Sequence, residues 1–240
     1  KFGTSGLRGL VTELTPSLVG AHVAAFARAC PMGTGLFVGR DLRDSSPRIA
    51  GDVIAAARAQ GLAVTDCAPV PTPALALAAM GAGAAAVMVT GSHIPADRNG
   101  LKFYTPAGEI TKADEARILA ALETAQGRAT PGPLTLADPG PGFVARYLTA
   151  FGPRPLAGRR IGVWSHSAVG RDLLIETLAA LGAGVVEIGR LDAFIPVDTE
   201  AVGLETRVLL AEVAEYGLTA IASTDGDGDR PLLVDARGRV

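Results

Sequence analysis

Cysteine is scarce in this sequence: Cys30 and Cys67 are the only two in a chain of 240 residues. Neither belongs to a Cys-x-x-Cys pair, and neither has a histidine partner at the spacing of a metal site. We therefore interpret both as buried, reduced thiols. Reduced thiols favour a cytoplasmic protein.

Positive charge is not in excess either, because 22 Lys and Arg residues face 24 Asp and Glu residues, for a net charge of -2. Without a basic stripe, nucleic acid is not an expected partner. No signal-peptide pattern occupies residues 1–10. The uncharged stretch of residues 67–92 is broken by prolines and glycines, so we predict a loop, a short helix and a strand there instead of a membrane span.

The most informative segment is the acidic run STDGDGDR at residues 223–230. Asp225, Asp227 and Asp229 occupy alternate positions, so in an extended loop their carboxylates project together and can bind a hard cation. Arg230 directly follows Asp229, and its guanidinium can bind an anion. An EF-hand would need glycine at the sixth loop position and a carboxylate at the twelfth, where this chain has arginine and alanine. A solvated acidic turn is the other alternative, but three close carboxylates repel one another unless a cation lies among them.

A candidate nucleophile, Ser92, lies in the loop that follows the apolar residues 87–89. Ligands bind at strand ends in open parallel sheets. A serine-hydrolase elbow would need glycine at position 94, where this chain has isoleucine, so phosphoryl chemistry is preferred over acyl transfer. A Ser-His pair after a strand is, on its own, more typical of loop capping. The three aspartates would give this Ser-His pair a catalytic partner.

Five motifs, in this order along the chain, resemble those of the α-D-phosphohexomutases, the family of phosphoglucomutases, phosphomannomutases and phosphoglucosamine mutases. They are FGTSGLRG at residues 2–9, VGRDLRDSS at 38–46, TGSHIP at 90–95, NGLK at 99–102 and DGDGDR at 225–230. They are distributed over nearly the whole sequence, and together they make the resemblance highly specific.

The resemblance implies that Ser92 is carried as a phosphoserine. It would pass its phosphoryl group to a hexose monophosphate, form a hexose 1,6-bisphosphate intermediate, and take the other phosphate back. It also implies a Mg²⁺ ion bound by Asp225, Asp227, Asp229 and an oxygen of the phosphorylated Ser92. This ligand set agrees with the preference of Mg²⁺ for a few carboxylates together with phosphate oxygens.

The resemblance further implies that Arg8, Lys102 and Arg230 approach the phosphoryl group or assist proton movement. His93 matches the family's proton-carrier candidate, although a histidine here could instead hold the loop by hydrogen bonds. The family usually has asparagine where this chain has Ile94.

Two further histidines are expected to be structural. His166 lies in the run WSHS at residues 164–167, where many relatives carry an Asp and an Asn-Gly pair, and we interpret it as a local cap. His22, inside a helical stretch, is interpreted as a packed side chain.

Short apolar runs alternating with helical segments predict an α/β protein. We predict two successive α/β/α domains with mixed, mostly parallel sheets. A breaker-rich run at residues 123–133 places the boundary, giving residues 1–130 the phosphoserine loop and residues 131–240 the metal-binding loop. A strand at 231–234 and a turn at 235–238 predict a hairpin whose returning strand begins near Val240. The resemblance implies two further domains beyond this chain.

The preferred function is a phosphomannomutase of the isomerase class in carbohydrate metabolism, with phosphoglucomutase or dual activity ranked close behind. Phosphoglucosamine mutase is the alternative within the family. A non-catalytic sugar-phosphate-binding relative would need neither a phosphorylatable hydroxyl nor three metal ligands. A metal-dependent phosphatase would need a water nucleophile. A small hexose phosphate is the expected partner, and the sequence does not predict an oligomeric state.

Overall fold

The computed structural model describes residues 6–122, 130–214 and 216–240, which form two compact units. The first unit draws on Lys1–Gly91 and Ala96–Pro139, and the second on Ser92–Pro95 and Gly140–Val240. The boundary predicted at residues 123–133 falls largely on residues 123–129, which lie outside the described residues. The division into domains 1–130 and 131–240 therefore stays a prediction.

In the described part of the first unit, seven strands form one mixed sheet in the order β1-β5-β4-β2-β3-β7, with β6 on β5. The strands are β1 (Gly6–Leu10), β2 (Leu36–Arg40), β3 (Val64–Pro69), β4 (Ala85–Val89), β5 (Arg98–Thr105), β6 (Gly108–Glu109) and β7 (Leu134–Leu136). Strands β4, β2, β3 and β7 are parallel, whereas β1 and β6 pair antiparallel with β5, which pairs antiparallel with β4. The helices are α1 (Pro16–Ala29), α2 (Ser46–Ala59), α3 (Thr72–Gly81) and α4 (Lys112–Ala121).

Helix starts follow the capping chemistry of the sequence. Thr15 Oγ1 accepts a hydrogen bond from Leu18 N at 3.2 Å, and Pro16 opens α1. Thr111 and Asp114 form a reciprocal capping box at the start of α4. Proline at the first helical position and a Thr cap are both favourable, which explains why α1 begins at Pro16.

Both faces of the first sheet are covered by helices. Strand β4 is buried at every position, and its alternate residues Ala85, Val87 and Val89 join the core formed with α1, α2 and α4. On the other face, a Cβ atom at Gly39 would lie 2.6 Å from Val70 and 3.0 Å from the α3 side chain Leu75. Successive strand residues point to opposite faces, so α3 packs against this second face.

The second unit has a four-stranded sheet among its described residues, in the order β11-β10-β8-β9. Its strands are β8 (Arg160–His166), β9 (Gly184–Arg190), β10 (Ala220–Thr224) and β11 (Pro231–Asp235), and its helices are α5 (Gly140–Phe151), α6 (Arg171–Ala180) and α7 (Leu204–Ala214). Strands β10, β8 and β9 are parallel, and β11 returns antiparallel to β10. The core contains Trp164, Leu210, Ile221 and Val234.

The predicted fold class, α/β with mixed and mostly parallel sheets, is confirmed. The stretch at residues 67–92 contains the end of β3, α3 and β4, as expected, and no described helix is long and apolar enough to cross a membrane. Strands β1 and β7 were not predicted; both gain their hydrogen bonds from distant partners, β5 and β3. The turn predicted at 235–238 forms, with Asp235 N donating to Arg239 O at 2.9 Å, and the strand predicted to return near Val240 stays a prediction.

Candidate active site

The acidic loop connects β10 to β11 in the second unit, and its three carboxylates converge. One oxygen from each of Asp225, Asp227 and Asp229 lies within 4.8 Å of the others, and the first two residues are buried. Asp225 N donates to Arg230 O at 3.0 Å, which closes the loop. Gly228 has φ 81°, a conformation that strongly favours glycine.

Burial makes this cluster electrostatically unfavourable without a counter-charge. The pKa of Asp225 is raised to about 7, first by burial and then by the negative charge of Asp227, against the hydrogen bond from Ser92. Three acidic oxygen donors at this separation fit a hard divalent cation such as Mg²⁺, which binds carboxylate oxygens and keeps other positions for water or phosphate.

Ser92 belongs to the same unit as the acidic loop and contacts it directly. Its Oγ donates a hydrogen bond to Asp225 Oδ2 at 2.6 Å. The residue is buried, and its φ of 53° lies in the left-handed region that non-glycine residues rarely adopt. The serine and the aspartates, predicted from distant segments, are therefore brought together.

His93 lies between Ser92 and Arg230. Arg230 donates from Nη1 to His93 Nδ1 at 2.9 Å, and Ser92 Oγ lies 3.3 Å from the same nitrogen. Because a guanidinium can only donate, Nδ1 is the acceptor and the ring proton resides on Nε2. Arg230 is also 3.9 Å from Glu200. In this arrangement the hydroxyl proton of Ser92 points to Asp225, and the Nε2–H of His93 is a donor.

Gly226 lets two other residues approach the acidic loop. A Cβ atom there would lie 3.0 Å from the Phe194 ring and 3.1 Å from Ser92 O. Phe194 was not predicted as part of the site, because it lies in an irregular segment whose sequence carries no motif. Ile94 is half-buried in the serine loop.

Arg8 and Lys102 are placed in the first unit, on the paired strands β1 and β5. Together with Thr90 they line a small pocket whose other walls come from Gly6, Leu7 and Leu101. Lys102 is buried and Arg8 is half-buried. Gly100, opposite Arg8, is required because a Cβ atom would lie 2.5 Å from Leu7 O.

The fold and the acidic loop define an α/β protein with a serine hydroxyl bonded to a cluster of three carboxylates. The sequence profile of the phosphoglucomutase/phosphomannomutase alpha/beta/alpha domain I matches residues 1–129. The chain therefore belongs to the phosphoglucomutase/phosphomannomutase family.

Individual relatives agree. The chain is 46% identical over 255 residues to a phosphomannomutase of Sinorhizobium fredii, covering 99% of this chain and 53% of that protein. It is 41% identical over 243 residues to a phosphomannomutase of Salmonella muenchen, covering 99% and 50%. The crystal structure of a family protein from Burkholderia thailandensis shares the fold, with a TM-score of 0.84 at 24% identity over 98% of this chain and 54% of that one. The chain thus spans about half the length of the curated relatives it matches.

Proposed function

We propose that this chain provides the phosphoryl-carrying serine and the metal-binding loop of a phosphomannomutase. The observation that carries the proposal is the 2.6 Å hydrogen bond between Ser92 Oγ and Asp225 Oδ2 inside a cluster of three converging carboxylates. Phosphoryl transfer depends chiefly on positioning and on neutralising charge. The hydrogen bond positions Ser92, and a cation held by the three carboxylates would supply the neutralising charge.

In the proposed reaction, phosphorylated Ser92 gives its phosphoryl group to a free hydroxyl of a hexose monophosphate. The bond between phosphorus and Ser92 Oγ breaks, and Oγ leaves with the bonding electron pair and takes up a proton. A bond from phosphorus to the sugar oxygen forms, and the sugar hydroxyl releases its proton to a base. The other phosphate of the bisphosphate then returns to Ser92, and the net change is a shift between the 6-phospho and 1-phospho sugars.

Asp225, Asp227 and Asp229 would hold Mg²⁺, with an oxygen of phosphorylated Ser92 as a further ligand. The bound ion would neutralise negative charge on the transferring group. Arg230 holds His93 Nδ1 and so presents the Nε2–H of His93 as a hydrogen-bond donor or proton carrier. We propose that Arg8 and Lys102, which share one pocket, bind phosphate.

Mannose phosphates are the proposed substrates, with glucose phosphates as a second pair for the same enzyme and the cytoplasm as the expected compartment. The two phosphomannomutase relatives support this choice. Turnover compared on mannose, glucose and glucosamine phosphates tests the sugar. Preference for the glucosamine substrate would favour a phosphoglucosamine mutase, and phosphate released without isomerisation would favour a phosphatase.

Phosphorylation of Ser92 is the decisive test. The protein is treated with a hexose 1,6-bisphosphate and digested, and the phosphate is located by mass spectrometry. We expect it on the peptide containing Ser92, and we expect none in a Ser92→Ala variant. Ser167→Ala is the matched control, since Ser167 is another buried serine of the second unit but bonds to Ile195. Phosphate found only on other residues would reject the proposal.

A further inference from the structure

His166 ends β8, and its imidazole reaches the strand that leads into the acidic loop. Its Nε2 lies 2.8 Å from Thr224 O, the carbonyl immediately before Asp225. A carbonyl oxygen only accepts, so Nε2 carries the proton and donates it. The interpretation of His166 as a local cap is wrong, because this partner lies 58 residues further along the chain.

The bond from His166 lies where the backbone pairing of the two strands has ended. Strand β10 pairs with β8 through Ala220, Ile221 and Ala222. Beyond that point, Ser223 Oγ donates to Trp164 O at 2.6 Å, and His166 donates to Thr224 O. Two side-chain hydrogen bonds therefore hold β10 against β8 after the backbone pairing of these strands ends, just before the proposed metal ligands.

His166 is itself held firmly on the other side. It pairs in register with Arg190 of β9, and its carbonyl accepts from Leu191 N at 3.0 Å and from Arg171 Nη1 at 2.7 Å. Its ring packs against Trp164, with ring centroids 4.8 Å apart. A fixed backbone and a packed ring make its Nε2–H a rigid donor.

Two features of His166 are unfavourable by themselves. Its φ of 27° lies in the left-handed region, and its Nδ1 is buried without a hydrogen-bond partner among the described residues. Strained backbone and unsatisfied buried groups persist where surrounding structure enforces them, and they concentrate at functional sites. A residue needed only to fill space beside Trp164 would require neither.

We infer that His166 is a positioning residue for the metal-binding loop: it fixes the Thr224 carbonyl and thereby the point at which Asp225 enters the site. The inference rests on the proposed metal site. Groups that orient metal ligands without contacting the metal commonly strengthen metal binding, and their removal lowers the affinity by about 10- to 100-fold.

A matched pair of substitutions tests the inference. His166→Gln keeps a nitrogen donor on a side chain of similar length, whereas His166→Met keeps the length and loses the donor. Both place a side chain in the same backbone conformation, so strain is matched. Mg²⁺ dissociation constants are measured by calorimetry, and emission from Trp164, the only tryptophan in the chain, checks the packing of each variant.

We expect His166→Met to weaken Mg²⁺ binding about tenfold or more, and His166→Gln to stay within about threefold of the original chain. The inference is overturned if His166→Met binds as tightly as the original chain. Equal weakening in both variants would also overturn it, because packing alone would then explain the effect. Absence of Mg²⁺ binding by the unsubstituted chain would instead reject the proposed metal site, and the inference with it.

If neither variant folds, nitrogen NMR of the unsubstituted chain decides. The chain has three histidines, so the His166 signal is assigned by substituting the other two. Mg²⁺ should shift the His166 Nε2 resonance and slow exchange of its proton with solvent. An Nε2 signal unchanged at saturating Mg²⁺ would contradict the inference.

Discussion

Ser92 and Asp225 show how individual residues prepare this loop for a charged partner. Ser92 adopts a left-handed backbone conformation, and Asp225 is a buried carboxyl group with two acidic neighbours. Both features are unfavourable in an isolated loop. A cation among the carboxylates removes the repulsion, and a phosphoryl group on Ser92 would add another negative ligand for it. The unfavourable conformation of Ser92 and the repulsion among the carboxylates are therefore consistent with the proposed binding of a cation and a phosphoryl group.

Asp225→Asn should stabilise the metal-free protein and abolish its response to Mg²⁺. The substitution removes a buried carboxyl group whose pKa is raised to about 7. The amide oxygen can still accept the hydrogen bonds from Gly228 N and Arg230 N. In EDTA we expect an equal or higher melting temperature than for the original chain. Saturating Mg²⁺ at 100 times its dissociation constant should add about 2.7 kcal/mol to the original chain alone.

The matched control is Asp192→Asn, which removes an exposed carboxylate outside the cluster. It should leave the Mg²⁺ response intact. A full Mg²⁺-induced shift in Asp225→Asn would show that Asp225 is not a ligand.

His22 should make stability depend on pH. Burial lowers the pKa of this imidazole, while the bond from Nδ1 to Leu18 O partly opposes that shift. The unfolded pKa is near 6.5, so stability is fully present above that value and is lost as pH falls through the lower folded pKa. Urea unfolding at pH 7 and pH 5 should show a larger loss for the original chain than for His22→Gln. Equal losses in the two proteins would contradict this assignment.

At the scale of elements, a buried ion pair between Asp41 and Arg43 joins strands of the first unit. Asp41, just after β2, accepts from Arg43 Nε at 3.2 Å, from Ser46 Oγ at 2.5 Å and from Thr90 Oγ1 at 2.8 Å. Arg43 also donates to Arg98 O at 2.9 Å. The network thus links the end of β2 to the start of α2, the end of β4 and the start of β5.

Arg43→Met should therefore destabilise the protein strongly. The Arg43 side chain is 1% exposed, and its loss leaves the buried Asp41 charge uncompensated, which typically costs about 3–5 kcal/mol. Arg48→Met is the control, because Arg48 pairs with Asp52 while 44% exposed, and such pairs contribute about 1 kcal/mol or less. Urea unfolding measures both. A similarly small decrease in the free energy of unfolding for the two variants would show that the network does not stabilise the fold.

The sequence predicted elements that its local pattern encodes and missed those that distant partners create. The breakers in residues 67–92 predicted the short helix α3 and the strand β4, and alternate aspartates predicted the carboxylate cluster. Strand β1 was missed because glycine-rich residues 6–10 become a strand only through pairing with β5. His166 was misinterpreted for the same reason, since its partner carbonyl belongs to another strand. Non-local pairing is not visible in local periodicity.

At the scale of the whole molecule, the two compact units should respond differently to Mg²⁺. All three proposed aspartate ligands and Ser92 belong to the second unit. A ligand that binds only the folded state must dissociate before the unit can open. At 100 times its dissociation constant it therefore slows amide exchange through that opening by about 100-fold. We expect amides of β8 and β10 that exchange by opening of this unit to be protected by about that factor.

Amides of α1 and β4, in the core of the first unit, should exchange at unchanged rates, because none of the proposed ligands belongs to that core. Hydrogen exchange followed by mass spectrometry, with and without Mg²⁺, measures both units in one experiment. Asp225→Asn should show no protection anywhere. Equal protection of both units in the original chain would mean that they open together, and protection confined to the first unit would place the ion away from the acidic loop. Selective protection of β8 and β10 is the pattern that ties the carboxylate cluster to the stability of its own unit.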